Sequence, residues 1–277
     1  MSIRLVATDI DGTILRTDGT VSERTRRVLA AVEASGRELV FVTGRPPRWM
    51  AAIADATGHR GIAICSNGAI RYDMRAEKIV QSHSLSTRQQ RELVARLREA
   101  IPGASFAVEY GDSFAHEPAY RHHLSLIQDV EVGEFEQISA RPAAKILMRH
   151  DELQPDDLLA AAQKIAGDLA TFTHSSAGLA LLEISVTGVT KAVGLSQYAD
   201  ELGIGPAEVI AFGDMPNDVA LLEWAGRGVA VANAHPAAQA VAQRVTASND
   251  DDGVAVVLEE LLQDEPTPAR SGVTDRR

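Results

Sequence analysis

From residue 3 onward, short apolar runs alternate with amphipathic stretches: a strand over residues 3–8, a helix over 22–34 capped by Ser22, a strand over 38–42, a helix over 47–57 and a strand over 62–65. Apolar runs this short, separated by segments of helical period, predict βαβ units and a parallel sheet. The rhythm returns late, with a helix over 190–202, a strand over 209–212, a helix over 217–225, a strand over 228–232 and helices over 235–242 and 253–262. Between these stretches the pattern changes to a helix over 87–100, strands near 105–110 and 144–149, a helix over 155–166, and strands over 171–173 and 179–184. The prediction is an α/β chain: a Rossmann-like parallel-sheet core of residues 1–83 and 187–263, interrupted by an α+β domain of residues 84–186. Polar residues 81–84 and the Gly188-Val189-Thr190 stretch offer the two connections, with hinges near 83 and 187. Residues 264–277, rich in Pro, Ser, Asp and Arg, have no apolar period and read as a disordered tail.

The 277 residues suffice for one large domain or two unequal ones with ample core. Hydrophobic residues at 45%, charged residues at 23% and a mean hydropathy of -0.06 match an ordinary globular chain. Against 38 Asp and Glu stand 27 Lys and Arg, giving a net charge of -11 and a pI near 5.2. That balance opposes a general grip on nucleic acid or anionic membrane, although one local site can still take a small phosphate. Cys65, the single cysteine, cannot form an intramolecular disulfide and lies in an apolar run, which suggests a core thiol in a reducing compartment. No run approaches the roughly 18 apolar residues of a membrane span. Asp9 and Asp11 interrupt the N-terminus where a secretory segment needs an apolar stretch, so a cytoplasmic location is expected. Aromatic residues make up only 4%, so a large stacking platform is not expected, though one well-placed ring would suffice.

Candidate chemistry gathers at the carboxyl ends of the predicted core strands, where open α/β sheets build ligand sites. Asp9-Ile10-Asp11-Gly12-Thr13 follows the first strand, and alternation puts both carboxylates on one side. Two such carboxylates repel unless a cation or proton intervenes, and an oxygen donor set suits a hard ion such as Mg²⁺. A plain Asp-Gly turn is the alternative. Thr43-Gly44-Arg45-Pro46-Pro47 follows the second strand, where helix N-terminal amides and a hydroxyl can receive an anion, or where Thr43 simply caps a turn. Lys191 opens a helix, a position mildly unfavourable for a cation unless an anion partners it. Gly213-Asp214-Met215-Pro216-Asn217-Asp218 adds two carboxylates and a carboxamide at another strand end, with helix capping by Asp214 as the alternative.

Together, Asp9-x-Asp11-Gly-Thr, Thr43-Gly-Arg, Lys191 and Gly213-Asp214-x-x-Asn217-Asp218 resemble the four motifs of the haloacid dehalogenase superfamily of phosphatases, in order and in strand-end placement. Ser66-Asn67-Gly68-Ala69, the insertion between the second and third motifs, and Asn249-x-x-x-Gly253-Val254-Ala255 resemble its Cof-like branch with a type IIB cap. The resemblance spans about residues 3–262; Ala192 departs from it, where relatives often place Gly after the lysine. It implies a Mg²⁺-dependent phosphatase that works through an aspartyl-phosphate, with Asp9 as nucleophile and Asp11 as the acid that protonates the leaving oxygen and then activates water. It further implies Mg²⁺ on the Asp9 and Asp214 carboxylates and the Asp11 carbonyl, phosphate held by Thr43, Gly44, Lys191 and Asn217, and Asp218 supporting the metal waters or orienting Lys191. Arg45 and Asn67 would lie at the mouth as possible substrate contacts. The implied cap supplies the leaving-group pocket and excludes water. His116, Glu117, His122 and His123 fall within it and read as solvated polar positions.

The expected partner is a small phosphorylated metabolite, sugar phosphates first and pyridoxal phosphate or flavin mononucleotide second, bound by a monomer or homodimer. A phosphosugar mutase or a phosphatase dedicated to one sugar phosphate is the alternative within enzymes. A dinucleotide module is disfavoured, since Gly226-x-Gly228 precedes a strand and its sixth position is Val231. A silent metabolite-binding protein would be expected to lack one of Asp9, Asp11, Lys191 or Asp214, and all four are present.

Overall fold

The structure is a computed structural model and describes residues 2–121, 130–176 and 178–264; His122, His123 and residues 265–277 of the expected tail lie outside the described residues. Two sheets organise it. The larger has eight strands in the order Arg244–Val245, Arg227–Ala230, Val209–Gly213, Leu5–Thr8, Glu38–Val42, Ile62–Cys65, Ile70–Asp73 and Lys78–Ser82. The first six run parallel, and the last two form an antiparallel edge hairpin. The six-stranded sheet runs Ala170–Thr173, Leu181–Val186, Lys145–Arg149, Ser105–Glu109, Phe114–His116 and Glu131–Val132.

Strand alternation fixes what each face meets. In the larger sheet Val6, Phe41, Ile210 and Phe212 pack against helices Glu23–Ala34, Met50–Thr57 and Gly253–Asp264. Leu5, Ala7, Val40, Val42 and Ala211 pack instead against Leu195 and Ala199 of helix Lys191–Glu201 and Leu221 of helix Val219–Trp224. Burial on both faces explains why these strands read as unbroken apolar runs. Leu5–Thr8 sits between Glu38–Val42 and Val209–Gly213, so a strand from the start of the chain pairs with one about two hundred residues later.

The smaller sheet is covered on one face only. Phe106, Val108, Ile146, Met148, Leu182 and Ile184 pack on helices Thr87–Ala100 and Pro155–Ala166. The alternate residues, including Glu109, Lys145, Leu147, Leu181 and Glu183, line the other face, which meets the loops of the larger sheet. Three ties cross between them: Lys145 Nζ donates to Gly44 O at 2.7 Å, Arg48 Nη1 to Glu109 Oε1 at 2.5 Å, and Asn67 Nδ2 to Glu183 Oε2 at 2.8 Å.

The α/β expectation holds, and so do most elements. Helices Glu23–Ala34, Thr87–Ala100 and Lys191–Glu201 start behind hydroxyl caps at Ser22, Ser86 and Thr190. The edge hairpin was not anticipated: Arg71, Asp73, Lys78 and Gln81 break its apolar pattern because half of it faces water. The last helix ends at Asp264, two residues beyond its expected end. Among the described residues no helix is long and apolar enough to cross a membrane.

The helix behind Lys191 packs unusually close, since a Cβ at Gly194 would stand 2.7 Å from Ile64 Cγ2 and 2.8 Å from Gly68 Cα. Helix propensity alone favours Gly194→Ala by about 1 kcal/mol. Overpacking costs about 1–3 kcal/mol and opposes it, so the variant should unfold at lower urea concentration than wild type. An unchanged or higher midpoint would refute this account of the contact.

Candidate active site

Asp9 stands one residue past the end of Leu5–Thr8, fixed by its amide, which donates to Phe212 O at 3.0 Å. Its side chain is buried and meets Lys191, whose Nζ donates 2.6 Å bonds to Asp9 Oδ1 and Asp218 Oδ1. Burial opposes the Lys191 charge, but Asp218 and Asp9 together outweigh it and hold the ammonium above its ordinary value. Asp218 is fully buried, and its Oδ2 accepts from the amides of Asp214 and Met215 at 3.1 Å. It therefore ties Lys191 to the loop that carries Asp214.

Asp214 faces Gly12 so closely that a Cβ there would lie 2.3 Å from its Oδ2. Gly12, at φ +72°, is what lets the two loops meet. Thr13 Oγ1 donates to the other Asp214 oxygen at 3.2 Å. Burial, reinforced by neighbouring Asp218, raises Asp214 to about 7. Burial also pushes Asp9 well above the carboxylate range, with Lys191 pulling down and the neighbouring carboxylates pushing up.

Asp11 is half exposed and forms a two-pronged ion pair with Arg45, Nε to Oδ2 at 2.8 Å and Nη2 to Oδ1 at 2.6 Å. Thr43 is fully buried, and its Oγ1 accepts from the Arg45 amide at 3.0 Å, closing the turn that presents Gly44. Asn67 follows Ser66 in left-handed backbone, φ +56° after +50°, and its amide donates to Thr43 O. Such conformations cost on the order of 1–3 kcal/mol each and gather at functional sites. Asn67 Oδ1 accepts from Asn217 Nδ2 at 3.0 Å, while Asn217 Oδ1 is buried without a partner among the described residues. The bond from Asn217 Nδ2 to Asn67 Oδ1, whose own Nδ2 is held by Glu183, fixes this orientation of the amide.

Asp9, Asp11, Gly44, Arg45, Asp214 and Asn217 line a cavity of about 460 Å³ between the two sheets; Thr43, Asn67, Lys191 and Asp218 do not line it. Cap residues that the sequence did not single out complete the wall, notably Glu109, Lys145 and Glu183. Lys145 and Glu183 form a buried ion pair, and Ser175 also donates to Glu183. Burial opposes the Glu183 charge, but Lys145 and Ser175 outweigh it and hold the carboxyl below its ordinary 4.5. The available signal was a charge in each of three largely apolar strands, Glu109 in Ser105–Glu109, Glu183 in Leu181–Val186, and Lys145 with Arg149 in Lys145–Arg149.

His116 and Glu117, expected in solvent, are buried. His116 Nδ1 lies 2.7 Å from Glu117 O, and Glu117 pairs with Arg98 and accepts from the Phe106 amide at 2.8 Å, so both serve the cap's framework. Oxygens of Asp9, Asp214 and Asp218 lie within 4.8 Å of one another, an all-oxygen donor set suited to a hard divalent cation. Asp218 spends both oxygens on Lys191 and the loop amides, leaving Asp9 and Asp214 as the carboxylates open to a cation. Were all four carboxyls ionised, Asp9, Asp11, Asp214 and Asp218 would exceed Lys191 and Arg45 by two negative charges, a balance that a divalent ion would restore.

The haloacid dehalogenase-like hydrolase family matches residues 6–258. The Bacillus subtilis (strain 168) protein named 5-amino-6-(5-phospho-D-ribitylamino)uracil phosphatase YitU is similar at 26% identity over 262 residues, covering 93% of this chain and 97% of that one. Pyridoxal phosphate phosphatase YbhA of Escherichia coli (strain K12) is 27% identical over 267 residues, covering 92% and 97%. A solved haloalkanoate-superfamily phosphatase from Bacteroides thetaiotaomicron superposes with a TM-score of 0.78 at 25% identity, covering 94% of this chain and 95% of that one.

The Lys145–Glu183 pair generates a pH prediction. Because the folded Glu183 pKa is depressed, its contribution is complete above pH 4.5 and is lost as pH falls through the lower folded value. Glu183→Ala strands Lys145 in the interior, and unfolding free energy at pH 7 should drop by about 3–5 kcal/mol. The gap to wild type should narrow below pH 4.5 in urea titrations; a gap independent of pH would exclude this electrostatic origin.

Proposed function

The chain belongs to the haloacid dehalogenase-like hydrolases, of Cof-like type, and from that premise we propose that it removes phosphate from small phosphorylated metabolites by a Mg²⁺-dependent route through an aspartyl-phosphate on Asp9. The family match and the similarity to named phosphatases make it a phosphoric monoester hydrolase. The observation that carries the residue-level reading is the buried Asp9–Lys191–Asp218 triad, with Asp214 beside it and Asp11 one step out toward the cavity.

In this reading the Asp9 carboxylate attacks phosphorus and the bond to the leaving oxygen breaks, with Asp11 giving that oxygen its proton. Asp11, now a carboxylate, takes a proton from water as the water attacks phosphorus, releasing phosphate and restoring Asp9. Lys191 neutralises Asp9 and can also meet a phosphoryl oxygen, and the Gly44 amide and the Asn217 side chain are the proposed further donors, with Thr43 closing the turn that carries Gly44. Arg45 holds Asp11 at the mouth, which supports a role in positioning the acid. A Mg²⁺ on Asp9, Asp214 and the Asp11 carbonyl would supply charge neutralisation for phosphoryl transfer. Residues 84–186 would act as the cap, hinged near 83 and 187, and Cys65, buried with its thiol pKa pushed up, takes no part in the chemistry.

The test is phosphate release from sugar phosphates, pyridoxal phosphate, flavin mononucleotide and an aryl phosphate, each with Mg²⁺ or chelator. Wild type should turn over at least one compound only with Mg²⁺. Asp9→Asn should abolish turnover, and Asp11→Asn should lower it by about 10²–10⁴. Hydrolysis that survives Asp9→Asn would overturn the covalent route.

A further inference from the structure

Resting on the phosphatase reading, we infer that the leaving group carries a flat, largely apolar ring, as in heteroaromatic phosphate esters, and that Trp49, Phe114, Tyr120, Leu147 and Leu181 select it over a polyhydroxylated sugar. Strand alternation sends two kinds of residue toward the cavity. Glu109, Lys145 and Glu183 are the charged ones, and each is already bound to the core, through Arg48, Gly44 O and Asn67. Glu109 also accepts from the Gly111 amide at 2.7 Å, and Glu183 from Ser175. Apart from Glu109 Oε2, the oxygens of these carboxylates and the Lys145 ammonium are engaged in closing the cap, which leaves a sugar's several hydroxyls few partners on this side.

What remains of the wall on the side of the smaller sheet is apolar apart from Ser175, whose hydroxyl is given to Glu183. Leu147 lies directly across from Glu183 in the sheet, and Leu181 precedes it by two on the same face. Phe114 pairs with Glu109, and its ring packs edge-on to Tyr120 with centroids 6.3 Å apart. Trp49 closes the cavity from the core side, with the Arg45 and Arg48 guanidiniums 6.0 and 5.5 Å from its ring. Of 6 Phe, 4 Tyr and 2 Trp in the chain, three rings therefore meet in one cavity, a concentration that the 4% aromatic content concealed. Burying a hydroxyl against such a wall without a partner costs about 1–3 kcal/mol, whereas a flat ring gains from the same surfaces. The Tyr120 hydroxyl, with no hydrogen bond among the described residues, offers a polar handle for a ring substituent.

The experiment compares kcat/KM for pyridoxine 5′-phosphate, which lacks an aldehyde that would attach to lysines, with glucose 6-phosphate and ribose 5-phosphate. Wild type should favour the ring ester by about tenfold or more. Leu147→Asn and Leu181→Asn, both at half-buried positions, should each shrink that ratio by about tenfold, mainly through KM for the ring ester. Equal or better use of either sugar phosphate by wild type overturns the inference and leaves the phosphatase reading intact. If folded, Mg²⁺-supplied wild type hydrolyses none of them, the phosphatase reading fails. Calorimetric binding to Asp9→Asn then decides: tighter binding of the ring ester upholds the inference, and equal or weaker binding overturns it.

Discussion

A fully buried ammonium needs opposite charge within reach, and Lys191 meets that need only where Asp9 and Asp218 converge on it. That requirement draws together three segments far apart in sequence: the end of the first strand, the start of the helix that follows the insertion, and the loop after Val209–Gly213. Asp218 in turn anchors the amides of Asp214 and Met215, so the geometry of the cation-ready carboxylates follows from the position of the lysine. Gly12 completes the arrangement, since any side chain there would occupy the place of the Asp214 oxygen.

The second sheet is joined to this centre through charge as well. Lys145 and Glu183 share a buried pair, and both reach across to the core, one to the carbonyl of Gly44 and one to Asn67. Asn67 also touches Asn217, so a chain of polar contacts runs from the smaller sheet to the loop after Val209–Gly213. The same alternation that turns these groups inward leaves Leu147 and Leu181 beside them. The smaller sheet thus presents charged and apolar residues side by side to the cavity.

How much of this could be read beforehand depends on which interactions decide each element. Strands buried on both faces announce themselves as apolar runs, and helices with hydroxyl caps as periodic stretches, so Glu38–Val42, Thr87–Ala100 and Pro155–Ala166 were legible to the residue. The edge hairpin was not, because exposed strands dilute the apolar signal. Asp9, Asp11 and Asp214 were legible because carboxylates at the ends of buried strands have few structural reasons to be there. Glu183 and Lys145 were not: one charge in an alternating strand looks like a solvent-facing position until the fold supplies a second surface above it. His116 and Glu117 misled for the same reason in reverse, since their burial comes from Arg98 and the Phe106 amide on neighbouring elements.

The placement of Leu5–Thr8 at the centre of the larger sheet bears on how the chain comes into being. One of its two neighbours, Val209–Gly213, leaves the ribosome only after the whole of the smaller sheet has been synthesised. The inserted segment, whose strands pair only among themselves, is free to fold first. Its companion, by contrast, must hold an unpaired apolar edge open for most of translation, and contacts of such long sequence separation form slowly. Asp9 and Asp214 sit on those two late-meeting strand ends, so a nascent chain does not yet hold this carboxylate pair together, and the pairing that assembles it is among the last to form.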